Sequence, residues 1–469
     1  MKTIFSRSAS VIALSLAMGL TACEKQLDLN PAQSVDAATA LDTEEKVGSG
    51  VVGMYALLDD PNLYGTNLIL VPELLAADST YINWQGTFTN FSDIANRTTN
   101  ARNSTAEGIW RVAYQTINQS NLILDALPVV TTPELKKQYE GEARFVRADL
   151  YFELVRLYAK QYEAGGTNTQ LGVPINLVPV KNVEQAGVQV PRSTVAEVYN
   201  QVITDLVQAD KLLPKSNGTR ASRYTAKALL ARVYLQQGNF QKAGEMADSV
   251  ITYSAKSLSP TLQAVFTNRN SSETLLEIQQ NDQNNAGTAN SGLATHFASI
   301  GQLGRADVAV EGYFAEMYEL QDARGTDSLP PNRTRKLIYV GNGARAGALR
   351  SGKYTAYGQN IPVIRLAEMY LIRSEAAFRA GNKDAALLDV NRVRERSGAT
   401  PIKAEDLTLD AILLERQLEL AFEGFRIHDL KRTGKRVTSS EPITEDILVL
   451  PIPQREINVN PLLQQNPGY

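Results

Sequence analysis

One cysteine, two histidines and two tryptophans are all that 469 residues contain of these three types. A single thiol, Cys23, allows no internal disulfide, so stability in an oxidising compartment has to come from a packed core. No Gly-x-Ser-x-Gly elbow occurs, which leaves the commonest serine-hydrolase signature without a match. No long run of one charge is present: 47 basic and 50 acidic side chains give a net charge of −3. Such a balance has no electrostatic footprint for nucleic acid. Aromatic residues make up only 7%, so stacking platforms are few. Nor is there an apolar stretch of the roughly 20 residues that a spanning helix needs. What the chain does have is 43% hydrophobic residues, enough for one large or two ordinary domains.

The longest apolar run at the start, Val11 to Leu20, follows Lys2 and Arg7 and reads as a secretory leader. It ends in Leu20-Thr21-Ala22-Cys23, which resembles the lipobox of bacterial lipoproteins. That resemblance implies cleavage before Cys23 and acylation of its sulfur and new amino group. Each buried acyl CH₂ contributes about 0.8 kcal/mol, so several chains anchor durably where one would exchange. The alternative is an ordinary leader cut after Ala22, leaving a stray thiol. Residues 1–22 are thus expected to be a signal peptide and 23–36 a lipidated tether. This polar stretch, interrupted by Pro31, has no apolar period before about Ala37 and could span up to roughly 50 Å when extended.

Apolar residues then recur at helical spacing over Ala106–Leu127, Tyr139–Ala159 and Thr194–Leu213. Strand-like runs are few: Thr274–Gln280, Arg335–Val340 and the "LVLPIP" near the end. Two stretches, Ala226–Ile251 and Ala367–Arg394, align with Gly238-Asn239 over Gly381-Asn382 and Ala243 over Ala386. Each reads as helix, Gly-Asn turn, helix, the unit of tetratricopeptide repeats. More than a hundred residues separate them, so the pairs must be assembled around long insertions, where a site would lie. Two zones look irregular, Tyr64–Thr105 and Asn281–Gly301, and both are too long for idle connectors. The fold class expected is mainly α: tetratricopeptide-like helical pairs, a loop-rich irregular half and a few short strands.

Near the end, Glu415, Glu419 and Glu423 fall at i, i+4, i+8. Three like charges on one helical face repel, so cations must lie near them. Arg365, Arg373, Arg394, Arg396, Arg416 and Arg426 are the candidates for a network of forked ion pairs between packed helices. The same glutamates could serve as acid and base of a glycoside hydrolase, although carboxylates one turn apart on a packed helix more often form ion pairs.

"RLAEMYLIRSEAAFRAG", "NRVRERSG", "ERQLELAFEGFRIHDLKR" and the ending "LPIPQREINVNPLLQQNPGY" resemble the carboxy-terminal hallmarks of the SusD/RagB family. "EARFVRADLYFELVRLY", "LGVPI" and "GVVGMYALL" resemble its amino-terminal ones. The resemblance covers nearly the whole mature chain. It implies a SusD-like α-α superhelix over 37–469, divided into an amino-terminal part (37–260) and a carboxy-terminal part (261–469). It also implies a lipoprotein on the surface of the Gram-negative outer membrane that captures an oligosaccharide, or in some members a peptide. Such proteins deliver the ligand to a SusC-like, TonB-dependent barrel, and they are binding proteins, not enzymes, with no cofactor. The resemblance further implies that the helical repeats face the transporter and that loops of the irregular half hold the ligand, as they generally do in the family.

Sugars offer hydroxyls for hydrogen bonds and C–H faces for aromatic rings. "DSTYINWQGTF" supplies Asp78, Tyr81, Asn83, Trp84 and Gln85, and the amide-rich loop after Ile278 supplies Asn284, Asn285 and Asn290. Trp110 sits on a periodic helix and is expected in the core, whereas Trp84 has polar neighbours and could either touch ligand or cap the core. The amide loop could equally touch nothing. Gly341 and Gly343 mimic a dinucleotide fingerprint, but Gly347 comes one place late and no crossover helix follows, so a loop is expected. His296 and His428 are far apart, and with Cys23 lipidated no Cys/His zinc cluster remains.

Overall fold

The computed structural model describes residues 40–287, 290–326, 337–437 and 445–469. Cys23, the leader and the tether lie outside the described residues. The chain opens with α1 (Glu44–Leu57), α2 (Asn67–Leu75), a short strand β1 (Ile82–Trp84) and α3 (Thr89–Asn96). Three long helices follow: α4 (Ser104–Ala126), α5 (Pro133–Tyr158) and α6 (Val195–Leu212). Their starts are written locally. The Asn103 side chain accepts the N–H groups of Thr105 and Ala106 at α4, and a Thr194–Glu197 capping box opens α6. The two hairpins are α7 (Arg223–Gln236) with α8 (Phe240–Tyr253), and α9 (Leu366–Arg379) with α10 (Lys383–Arg396).

Both hairpins turn in the same way. Gly238 and Gly381 take φ of +72° and +82°, which glycine adopts without a Cβ penalty, and the asparagines after them cap the second helix through the N–H of Lys242 and Ala385. The helices form one array in which each of α4 to α10 packs on the next, although residues 254–365 intervene between α8 and α9. At that junction a Cβ added to Gly244 would lie 2.9 Å from Cβ of Ala376. Gly244→Val is expected to force the hairpins apart at a cost of about 1–3 kcal/mol, read as a lower urea midpoint with unchanged slope.

The intervening residues carry β2 (Thr274–Ile278), β3 (Val308–Val310), β4 (Ile338–Val340), β5 (Leu349–Ser351) and β6 (Ile361–Arg365). An antiparallel sheet runs β1-β3-β5-β4, with Ile82 opposite Val310 and Trp84 opposite Val308; β2 pairs with β6. The chain then closes with α11 (Leu409–Leu420) and α12 (Arg426–Thr433). Where the sheet meets these helices, Tyr81, Phe314 and Phe422 form an aromatic junction with centroids 4.9–5.7 Å apart.

Several expectations need correction. "LVLPIP" is buried but is no strand: two prolines lack N–H groups, and Leu450 and Ile452 donate instead to Leu157 O and the Gln465 side chain. The strands expected over Thr274–Gln280 and Arg335–Val340 shorten to β2 and β4, with 327–336 outside the described residues. The zone from Tyr64 to Thr105 is less irregular than its composition suggests, since it holds α2, β1 and α3. Residues 341–348 form the β4–β5 hairpin loop, as expected, with Gly347 at φ +93°.

Candidate functional site

The glutamate cluster is a buried scaffold. Glu415 and Glu419 share α11, but the helix stops at Leu420: Ala421 turns extended and Phe422 takes φ +68°. Glu423 therefore lies beyond the helix rather than on its face, and it returns to the cluster from the other side. Arg365 joins the three chain segments, with Nη1 on Glu273 (2.9 Å) and Glu419 (2.6 Å) and Nε on Glu423 (2.8 Å). Arg324 links Glu415 and Glu419, Arg396 links Glu273 and Glu419, and Lys353 Nζ holds Glu423 at 2.6 Å. Arg394 completes Glu415.

Three of the six candidate cations are absent from this cluster, and one of them, Arg416, pairs instead with Asp429 and lies 3.6 Å from Glu368. Arg373 lies on the outer side of the hairpins with Asp389 and Asp248, and the Arg426 guanidinium meets no carboxylate among the described residues, its carbon lying 5.8 Å from the Tyr81 ring centroid. Glu273, Arg324 and Lys353 were not anticipated, because they come from segments remote in sequence. Burial alone would raise the Glu419 carboxyl, but Arg396, Arg365 and Arg324 more than offset it and hold the group well below the usual range. Glu419 and Glu423, fully engaged and out of water, are poorly placed for the acid and base of a hydrolase.

The polar stretch after α2 makes a cleft. Asp78, Ser79, Asn83 and Trp84 face Asn96, Arg97 and Glu311 across a space of about 370 Å³, within the range of small-ligand sites. Asp78 Oδ1 accepts from the N–H and hydroxyl of Thr80 (2.8 and 2.7 Å), which folds the loop on itself. Arg97, at φ +60° after α3, donates through Nη1 to Ala77 O at 2.9 Å and so ties helix end to loop. Burial, then the nearby Asp78 charge, push the Glu311 carboxyl up.

Trp84 combines both roles considered for it. Its ring packs on Phe91 (centroids 5.1 Å) and His296 (5.8 Å), with Gly86 so close that any Cβ would strike the indole, yet it still lines the cleft half-exposed. The His296 beneath it is buried, with Nδ1 3.0 Å from Asp307 Oδ2, and burial keeps it below its ordinary pKa. Trp110 is in the core against Tyr158, and His428 is also buried, with no partner on either ring nitrogen among the described residues.

The remaining candidates lie elsewhere. Tyr81 is buried and donates to Glu73. Gln85 turns to Arg350, whose Nη2 donates to Oε1 at 2.9 Å. Asn284 lies 3.5 Å from Asp59, Asn285 donates to Asn281 O, and Asn290 O faces Arg305; none of the three lines the cleft. Ser79, Asn96, Arg97 and Glu311 were missed. Asn96 and Arg97 carry a faint signal, a polar pair closing a short helix, whereas Glu311 arrives only through strand pairing.

Two family models match the chain, one described as "Starch-binding associating with outer membrane" over residues 25–235, the other as "SusD family" over residues 278–445. The chain belongs to the SusD/RagB family. A SusD-like protein of Formosa agariphila is 26% identical over 98% of both chains. The starch-binding protein SusD of Bacteroides thetaiotaomicron is 24% identical over 98% of both. Among solved structures, a SusD superfamily protein of Bacteroides thetaiotaomicron superposes with a TM-score of 0.78 at 26% identity, covering 91% of this chain and all of the other. A laminarin-binding SusD-like protein superposes with a TM-score of 0.74 at 24% identity, with 91% and 100% covered. The helical array and the inserted half of this SusD/RagB chain are therefore the family's architecture, and no described helix is long and apolar enough to cross a membrane.

Proposed function

We propose that this SusD/RagB member is a lipid-anchored, cell-surface binding protein that captures an oligosaccharide in the Asp78–Trp84 cleft and delivers it to a SusC-like, TonB-dependent outer-membrane transporter. The observation that carries the reading is the cleft itself: a half-exposed indole edge beside Asn83, Asn96, Ser79 and two carboxylates, held on a rigid sheet and helix end. Such a surface suits hydroxyls and C–H faces together. Starch and laminarin, the ligands named for the relatives, are neutral glucans, and the cleft's charge agrees with that class. Asp78 and Glu311 outnumber Arg97, and Arg97 is already bonded to backbone carbonyls. An anionic glycan would meet repulsion there, and a peptide ligand has no specific feature in its favour.

Affinity electrophoresis of the full chain against neutral glucans and against polyuronates tests this. Retardation by a neutral glucan, weakened about threefold to tenfold by Asn83→Ala through loss of a hydrogen bond, is the expected result. Polyuronates should fail to retard the wild type and gain affinity in the Asp78→Asn, Glu311→Gln double variant. Silence against every glycan would remove the capture role and favour a purely structural adaptor; glycan turnover abolished by Glu419→Gln would favour the hydrolase.

A further inference from the structure

A second concavity, of about 300 Å³, opens between α11 and α12. Helical spacing builds it: Leu413, Leu414, Gln417 and Leu420 from one helix face Arg426, Asp429, Leu430 and Thr433 from the other, with Met317, Phe425 and Tyr81 closing the inner end. The walls are mainly apolar, but the charges are unequal. Asp410 is matched by Lys435 at 2.7 Å, and Asp429 by Arg416 Nε at 2.9 Å and Arg432 Nε at 2.7 Å. Two cationic donors are left over. Arg426 has a guanidinium with no ion-pair or hydrogen-bond partner among the described residues, held only against the Tyr81 ring. Arg416, 2% exposed and part of the pocket wall, reaches Asp429 through Nε and lies 3.6 Å from Glu368 through Nη2, but its buried Nη1 has no partner among the described residues. A buried unpaired N–H of a charged group is costly, so it marks a missing acceptor.

We propose that this pocket binds a small organic acid: an apolar body against Leu413, Leu414, Leu430 and Phe425, with its carboxylate on Arg426 and the Nη1 of Arg416. A carboxylate presents two oxygens to two guanidinium groups, the pairing that Arg geometry favours. The volume admits one small ring or a short chain and excludes a polymer. Apart from Tyr81, which is buried beneath it, no residue of this pocket was a ligand candidate, and none lines the glycan cleft.

Calorimetric titration of the full chain in lipid nanodiscs, with empty nanodiscs as reference, uses 3-phenylpropanoate as the probe, the neutral 3-phenylpropanol as its isostere and inorganic phosphate as an anion without a body. Saturable binding of the acid is expected, with the alcohol and phosphate each at least about tenfold weaker, the loss that one charge-assisted contact or the apolar contacts would produce. Arg426→Gln, which breaks no ion pair, should weaken the acid about tenfold and leave the alcohol unchanged. Leu414→Asp, on the exposed lip, should weaken the acid more than the alcohol, and Asn83→Ala in the cleft should change neither. No heat up to about 10 mM acid, equal binding of acid and alcohol, or an Arg426→Gln variant that binds the acid normally would each overturn the assignment.

Discussion

Arg365→Met should lower the free energy of unfolding by about 3–5 kcal/mol, a large part of the stability of an ordinary domain. Among the described residues Arg365 is the one cation that touches Glu273, Glu419 and Glu423 together, and all are buried. Removing it leaves three carboxylates out of water with a deficit of positive charge. The penalty comes from those stranded groups and exceeds the net worth of the native pairs, because forming the pairs already cost desolvation. Lys435→Met is the control: Lys435 and its partner Asp410 are both exposed, and a loss of at most about 1 kcal/mol is expected.

The pH dependence gives a second signature. In the wild type Glu419 and Glu423 titrate below their ordinary value of 4.5, so their stabilising contribution is fully present above that value and is lost as pH falls through the depressed range. In Arg365→Met the carboxylates are easier to protonate, so the gap between variant and wild type should narrow on acidification. Urea unfolding of both proteins at about pH 7 and about pH 4 checks this. A constant gap would mean that Arg365 acts by packing alone.

The second large effect concerns Cys23. Cys23→Ser should move the protein from the membrane fraction to the soluble fraction while its glycan binding stays unchanged. Several acyl chains of about 0.8 kcal/mol per CH₂ are the only membrane-binding term proposed for this chain. Fractionation in cells lacking the transporter separates anchor from docking. A Cys23→Ser protein that stays with the membrane there contradicts the lipid anchor.

Most of the scaffold was legible because its signals are local. Gly238-Asn239 and Gly381-Asn382 encode a turn and a cap within four residues, and the α4, α5 and α6 faces repeat over several turns. Those same signals exposed the two hairpins as related, although not that α8 and α9 would touch across a hundred residues. The ion cluster was half legible. Glu415 and Glu419 demanded cations, but which ones depended on where α11 stops. Phe422 at positive φ, its N–H bonded to the Tyr81 hydroxyl at 3.1 Å and its carbonyl accepting from Tyr354 at 3.0 Å, is a tertiary choice that no periodicity announces. Arg426 went to an aromatic ring for the same reason.

The cleft shows the same division. Asp78, Asn83 and Trp84 belong to one polar stretch and were found together, while Tyr81 in their midst turned inward to Glu73 and Gln85 turned to Arg350. Composition marks a loop as ligand-like but does not say which of its side chains point out. Glu311 reaches the cleft because β3 pairs with β1, a contact between residues more than two hundred apart.

The two tryptophans allow a direct test of the cleft. Trp110 is buried in the helical array and Trp84 borders the proposed glycan position, so in a Trp110→Phe variant the emission excited at the red edge of the tryptophan band, where the 19 tyrosines do not absorb, reports Trp84 alone. Titration with a neutral glucan that binds in electrophoresis should shift or quench that emission along the same isotherm as the binding. If the glucan binds while Trp84 emission stays unchanged through saturation, the ligand sits elsewhere and the cleft assignment is wrong.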